Sequence, residues 1–215
     1  NDAPTASATA TNPTHTEGDA AVDLFNTVVV STVESGQTIE QIVLTVTNVT
    51  DGSDETITID GSVVFLTNGD NDTTGSGYDY MVDVIGNTAT ITIDTVGASV
   101  VDAQNLIDGF SYQNSSQNPT EASRAITITS LTDSGGGTDT SNPNITTTVN
   151  VVALNDAPTV DLNGTNGAGI NFATTFTEDG GAVNVTDTDA IISDVDDTSF
   201  QHLGINLSNI SDGSN

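Results

Sequence analysis

The groups in this chain that could do chemistry are almost all oxygen donors. Thirty aspartates and glutamates face a single basic residue, Arg124, with no lysine, for a formal net charge of −29 over 215 residues. Carboxylates and carbonyls are hard ligands suited to calcium. Recruiting such counter-ions would offset the self-repulsion of so acidic a chain. The same charge excludes nucleic acid as a partner, because binding it depends on Lys and Arg neutralising phosphates. An anionic membrane surface is disfavoured for the same reason. Without cysteine there are no disulfides or thiolate metal sites. His15 and His202 are the only histidines, and neither has the spaced partners that a zinc site or a Ser-His-Asp triad needs. Both are expected to be exposed or in loops. Arg124 is expected to form a surface pair with Glu121, contributing at most about 1 kcal/mol.

The elements that must position these donors read as strands. Residues 56–60 (TITID), 80–85 (YMVDVI), 88–94 (TATITID), 125–131 (AITITSL) and 145–153 (ITTTVNVVA) alternate apolar and polar positions. That period of two sets one face on a core and the other in water. Turn formers such as DGSD and DSGGGTDTSNPN fill the intervals. Only residues 99–109 (SVVDAQNLIDG) read as helix, with Ser99 as cap and Gly109 as stop. Many short strands with almost no helix predict an all-β sandwich. No apolar run approaches the ~18 residues of a membrane-spanning helix, so no membrane insertion is expected.

The chain repeats itself. NDAPT occurs at 1–5 and again at 155–159, an offset of 154. TEGDAAVDL (16–24) matches TEDGGAVNV (177–185), and VTNVTDGSD (46–54) matches LSNISDGSN (207–215), both at an offset of 161. The second copy therefore carries seven extra residues after its linker. Residues 1–154 are read as one complete repeat and 155–215 as the first part of another, joined by a linker over 153–159. Because the first residue already lies inside a repeat motif, the chain is expected to be a window on a longer one.

ALNDAPTV (153–160) resembles the inter-domain linker of cadherins, TEDG (177–180) the glutamate near a cadherin repeat's start, and SDVDD (193–197) its Asp-x-Asp loop. The run FSYQNSSQNPT (110–120), AITITSLTDSGGG (125–137) and VNVVALNDAPT (149–159) is similar to bacterial cadherin-like tandem repeats of large RTX-type surface adhesins. The resemblance covers nearly all of the first repeat and the opening of the second. It implies cadherin- or immunoglobulin-like sandwiches in tandem, with Ca2+ bound at the linker. Carried over residue by residue, the ligands would be Asn155 and Asp156 from the linker and Glu178, Asp194 and Asp196 from the second repeat; Asp133, in the TDSGG loop, is taken as the first repeat's contribution. Pro158 would stiffen the exit. At the chain's own start Asn1, Asp2 and Glu17 persist, but Thr32 and Val33–Glu34 stand where the Asp-x-Asp loop should be, so a site there is expected to be weaker or absent.

Two further matches are weaker. GSGYDYM (75–81) is half of one RTX nonapeptide, which binds calcium only when stacked. DNDTTG (70–75) begins like an EF-hand, but Met81 stands where the bidentate glutamate is needed.

The expectation is a non-enzymatic, extracellular spacer of a bacterial adhesin, at the cell surface or secreted, whose partners are neighbouring repeats of the same protein. The alternative is a subunit of a self-assembling filament, in which another copy completes the second repeat. A sugar- or ice-binding module is disfavoured, since no flat, regular Thr-x-Thr array is read across several strands and only nine aromatic residues are present.

Overall fold

The computed structural model describes residues 1–165 and 167–209. The chain divides into unit 1, Asn1–Leu154, and unit 2, Asn155–Asn215. Most of the LSNISDGSN match lies outside the described residues.

Unit 1 is an all-β sandwich. Its chain runs through β1 (Thr5–Ala10), β2 (Thr14–Thr16), β3 (Val22–Asp23), β4 (Phe25–Ser31), β5 (Ile39–Thr47), β6 (Glu55–Ile59), β7 (Ser62–Phe65), β8 (Asn71–Thr73), β9 (Asp79–Ile85) and β10 (Thr88–Ala98). Helix α1 (Val100–Asp108) follows, then β11 (Ser111–Asn114), β12 (Ser123–Asp133), β13 (Thr140–Ser141) and β14 (Ile145–Val152). The larger sheet has the order β2-β14-β12-β5-β10-β9-β8, with β13 on the side of β12. A four-stranded sheet, β3-β11-β6-β7, and the pair β1-β4 complete the unit. All pairings are antiparallel except that of β14 with β2.

Alternation produces the core. Ile42, Leu44 and Val46 of β5, Ala89, Ile91 and Ile93 of β10, and Ile126 and Ile128 of β12 are fully buried. They form one cluster with Ile57, Ile59 and Tyr112 of the smaller sheet. Each large aliphatic side chain so buried contributes about 1.5–3 kcal/mol. The helix forms where its signals predict. The Ser99 side chain and that of Asp102 satisfy each other's backbone N–H groups, and Gly109 ends the last turn.

Threonines do line up in one row on the outer face of the larger sheet. Thr127 pairs with both Thr146 and Thr45, and Thr45 with Thr90, giving a row across four strands. Strand registers, which a one-dimensional reading does not supply, create that row. Neighbouring strands rotate by roughly 20–25°, so a row across four of them is turned and does not form a flat lattice.

Unit 2 contains β15 (Thr159–Asp161) paired antiparallel with β16 (Ile191–Ser193). Among its described residues the large apolar side chains, Val185, Ile205 and Leu207 included, are mostly exposed.

Candidate functional site

The β15–β16 ladder brings part of the expected ligand set together. Thr159 pairs with Ser193, and three residues outward on each side lie Asp156 and Asp196. Their opposition is sealed by a hydrogen bond from the Asp156 N–H to Asp196 Oδ2, 2.5 Å. The Asp194 carboxylate folds back on its own loop, its Oδ1 accepting from the N–H groups of Asp196 (2.9 Å) and Asp197 (3.0 Å). Asn155 donates from Nδ2 to the carbonyl of Asp156, 2.6 Å. Asp156, Asp194 and Asp196 are thus linked through backbone-to-carboxylate bonds. Glu178 is exposed within the turn closed by the Gly180 N–H on the Thr177 carbonyl, and among the described residues it joins no cluster of acids with them.

Asp133 is placed elsewhere. It ends β12, whose other end, Ser123, pairs with Asn150 close to the exit of unit 1. Eleven residues of strand at ~3.3 Å each put Asp133 on the order of 30 Å from that exit. Its Oδ1 accepts from Asn1 Nδ2 (3.3 Å) and from the N–H of Gly135 (2.9 Å). The residue assigned from sequence to the exit strap therefore sits at the opposite, N-terminal pole.

That N-terminal pole repeats the unit 2 geometry. Thr5 pairs with Ser31, and three residues outward Asp2 donates its N–H to Glu34 Oε1, 3.0 Å. Glu34 thus occupies the position that Asp196 holds in unit 2. Alignment by residue offset hides this, because the acid falls one residue from the expected place.

At the exit pole the structure shows acids that the sequence reading did not assign there. Glu17 Oε2 accepts from the N–H of Leu154 (2.9 Å), and Glu121 Oε1 from that of Ala153 (3.2 Å). Glu17 is anchored by its own N–H, which donates to the carbonyl of Val152 (2.9 Å). The NVVALND motif had marked the strap but not the carboxylates that grip it.

Behind this pole lies the chain's one basic side chain, and the expected surface pair is not formed. Arg124 is completely buried and bonds Glu55, itself completely buried, through Nε–Oε2 (2.9 Å) and Nη2–Oε1 (3.0 Å). Nη2 also reaches Asp51 Oδ2 (3.1 Å), and Tyr112 donates its O–H to Glu55 Oε2 (2.8 Å). Burial alone would lower the Arg124 pKa, but the bonds to Glu55 and the surrounding negative charge raise it instead. Burial would likewise raise Asp51. Hydrogen bonds from Thr120 and Asn114, with the Arg124 charge, outweigh it and hold the carboxyl below its usual range. Burial, then the charge of Glu55, pushes the Tyr112 phenol far up, so it remains a donor.

His15 is also buried, not in an exposed loop. Its ring meets Tyr112 edge-on, with centroids 5.8 Å apart, and among the described residues its Nδ1 has no hydrogen-bond partner. Burial lowers its pKa. The EF-hand-like segment is a strand: Asp72 pairs with Tyr80, and Asp70 Oδ2 accepts from the N–H of Phe65 (2.9 Å).

Oxygen-only donors at these poles suit a hard divalent cation in chemistry. Among the described residues, however, no group of three or more acidic or imidazole side chains converges closely enough to hold a metal. No protein-family model, curated protein or solved structure matches the chain.

Proposed function

We propose that this chain is a non-enzymatic structural spacer: tandem cadherin-like sandwich units of an extracellular bacterial adhesin, stiffened at their linkers by Ca2+. The observation that carries the reading is the repeated strap geometry. Asp2 with Glu34 and Asp156 with Asp196 are the same backbone-to-carboxylate pairing, three residues beyond the same Thr–Ser ladder step. A second support is Glu17 and Glu121, which hold the two amides immediately before Asn155. The carboxylates at the start and end of a unit have no lysine in the chain to neutralise them, and the one arginine is buried against Glu55. A cation bound by the folded strap would stabilise it by mass action, so bending or unfolding would require losing the ion.

A chelator titration tests the reading. Adding EDTA should lower the melting temperature and shorten the maximum dimension measured by small-angle scattering, and calcium should restore both. Unchanged values in both measurements would remove the calcium spacer reading.

The filament reading draws on a different observation, the exposed apolar side chains of unit 2. Regular fibres in electron microscopy, built from subunits whose intact mass matches this chain, would favour it.

A further inference from the structure

We infer that Arg124 is a positioning residue for the exit strap: it fixes the backbone on either side of Glu121, so that this carboxylate holds Ala153. The two Glu55 bonds and the one to Asp51 would suffice for a buried ion pair. Yet Nη1 donates to the carbonyl of Thr120 (2.8 Å) and to that of Ala122 (2.7 Å), the two residues that flank Glu121. All five guanidinium donors are thereby used, and the rigid fork sets where the Glu121 backbone lies. Asp51 holds the same segment from the other side. Its carboxylate accepts from the N–H of Thr120 (3.0 Å to Oδ2) and from Thr120 Oγ1 (2.6 Å).

Glu121 is itself exposed, where a long side chain ordinarily samples many rotamers. A root clamped from the core restricts it, and its Oε1 meets the Ala153 N–H. The adjacent amide, Leu154, is held independently by Glu17, whose root is the β2–β14 ladder and not Arg124. One strap is therefore gripped by two carboxylates with separate supports. Only Glu121 depends on the buried cation. The consequence for calcium rests on the spacer reading: a pre-positioned Glu121 lowers the ordering cost of ion binding.

The experiment is amide hydrogen exchange by NMR in EDTA, followed by calcium calorimetry, on the full chain and on Arg124→Lys, Glu121→Ala, the double variant and Asp51→Ala. Lysine keeps the charge but cannot reach Glu55 and both carbonyls at once. Exchange at Ala153 should accelerate several-fold in Arg124→Lys and equally in Glu121→Ala, with no further gain in the double variant. Leu154 should keep its wild-type rate. Calcium affinity should fall about tenfold in Arg124→Lys and in Glu121→Ala, a loss of roughly 1.4 kcal/mol.

If Arg124→Lys leaves Ala153 unchanged, or accelerates Ala153, Leu154 and the β5 amides alike, the inference is overturned. Should that variant not fold, Asp51→Ala decides, since it removes the Asp51 hold on Thr120 while both Arg124 bonds to the flanking carbonyls remain. Ala153 exchange must then rise by clearly less than in Glu121→Ala, and a rise as large as in Glu121→Ala overturns the inference. Wild-type protein that takes up no calcium would refute the spacer reading while the exchange pattern still judges Arg124.

Discussion

The N–H of Asp156 donates to the carboxylate of Asp196, and in unit 1 the N–H of Asp2 does the same to Glu34. In both places the acid stands directly across the continued ladder from the strap residue, so strand register alone brings them together. Replacing Asp196 by Asn keeps an acceptor for the Asp156 amide but removes a charge. Asp196→Asn should therefore weaken calcium binding at least tenfold in calorimetry while leaving the EDTA melting temperature within about 1 °C. Glu34→Gln should show the same split. A melting temperature that falls in EDTA by as much as in calcium would show these carboxylates to be purely structural.

Arg124 and Glu55 make the complementary case, in which charge acts on stability. Removing one partner of a buried pair leaves the other uncompensated, at a cost of about 3–5 kcal/mol. Glu55→Gln should lower the melting temperature by on the order of 10 °C for a unit of this size, in EDTA and in calcium alike. The check is a thermal scan in both buffers. Glu121→Ala, the residue first expected to pair with Arg124, should move the EDTA transition by little more than 1 °C, because no ion pair between the two exists.

The buried cluster was legible in the period-two pattern, once polar residues are followed along with apolar ones. Arg124 shares the inward face of β12 with Ile126 and Ile128, and Glu55 shares that of β6 with Ile57 and Ile59. Each sits one step before an apolar alternation, on its buried phase. What the pattern could not give is register. In β5 the alternation is masked, because Val43, half-exposed, fills an outward position and turns residues 42–44 into an unbroken apolar run. Asp133 lies at the pole away from the exit, and sequence does not show which end of an eleven-residue strand meets that exit. The offset of 161 sets Ser35, not Glu34, against Asp196, whereas the ladder puts Glu34 in that place.

His15 should give unit 1 a pH dependence of definite sign. The unfolded chain takes up a proton near the ordinary 6.5 of histidine, whereas burial lowers the folded value. Between the two, the unfolded state binds more protons, so stability rises with pH through that window. It is complete above about 6.5 and is lost as pH falls toward the lowered folded value. Asp51 adds a separate loss at more acidic pH, beginning below the ordinary 3.8 of aspartate. Melting temperatures in EDTA should fall between pH 7 and pH 5. His15→Phe, which keeps a ring against Tyr112, should flatten that slope. Persistence of the full slope in the variant would assign it to other groups.

The two units should also differ in their capacity to fold alone. Unit 1 has a continuous cluster that spans both of its main sheets, enough for a cooperative domain of its size. Unit 2 has only two three-residue strands among its described residues, and apolar side chains such as Phe176, Leu203 and Ile205 lie open. A two-stranded pair is marginal in water without a covering layer. Residues 1–154 expressed alone should melt in a single cooperative transition at the temperature of the full chain's main transition in EDTA. Residues 155–215 alone should show no cooperative melt and should bind a hydrophobic dye strongly. A sharp transition in the second fragment would mean that its exposed side chains are not in fact without a core, and a broad one in the first would deny unit 1 its independence.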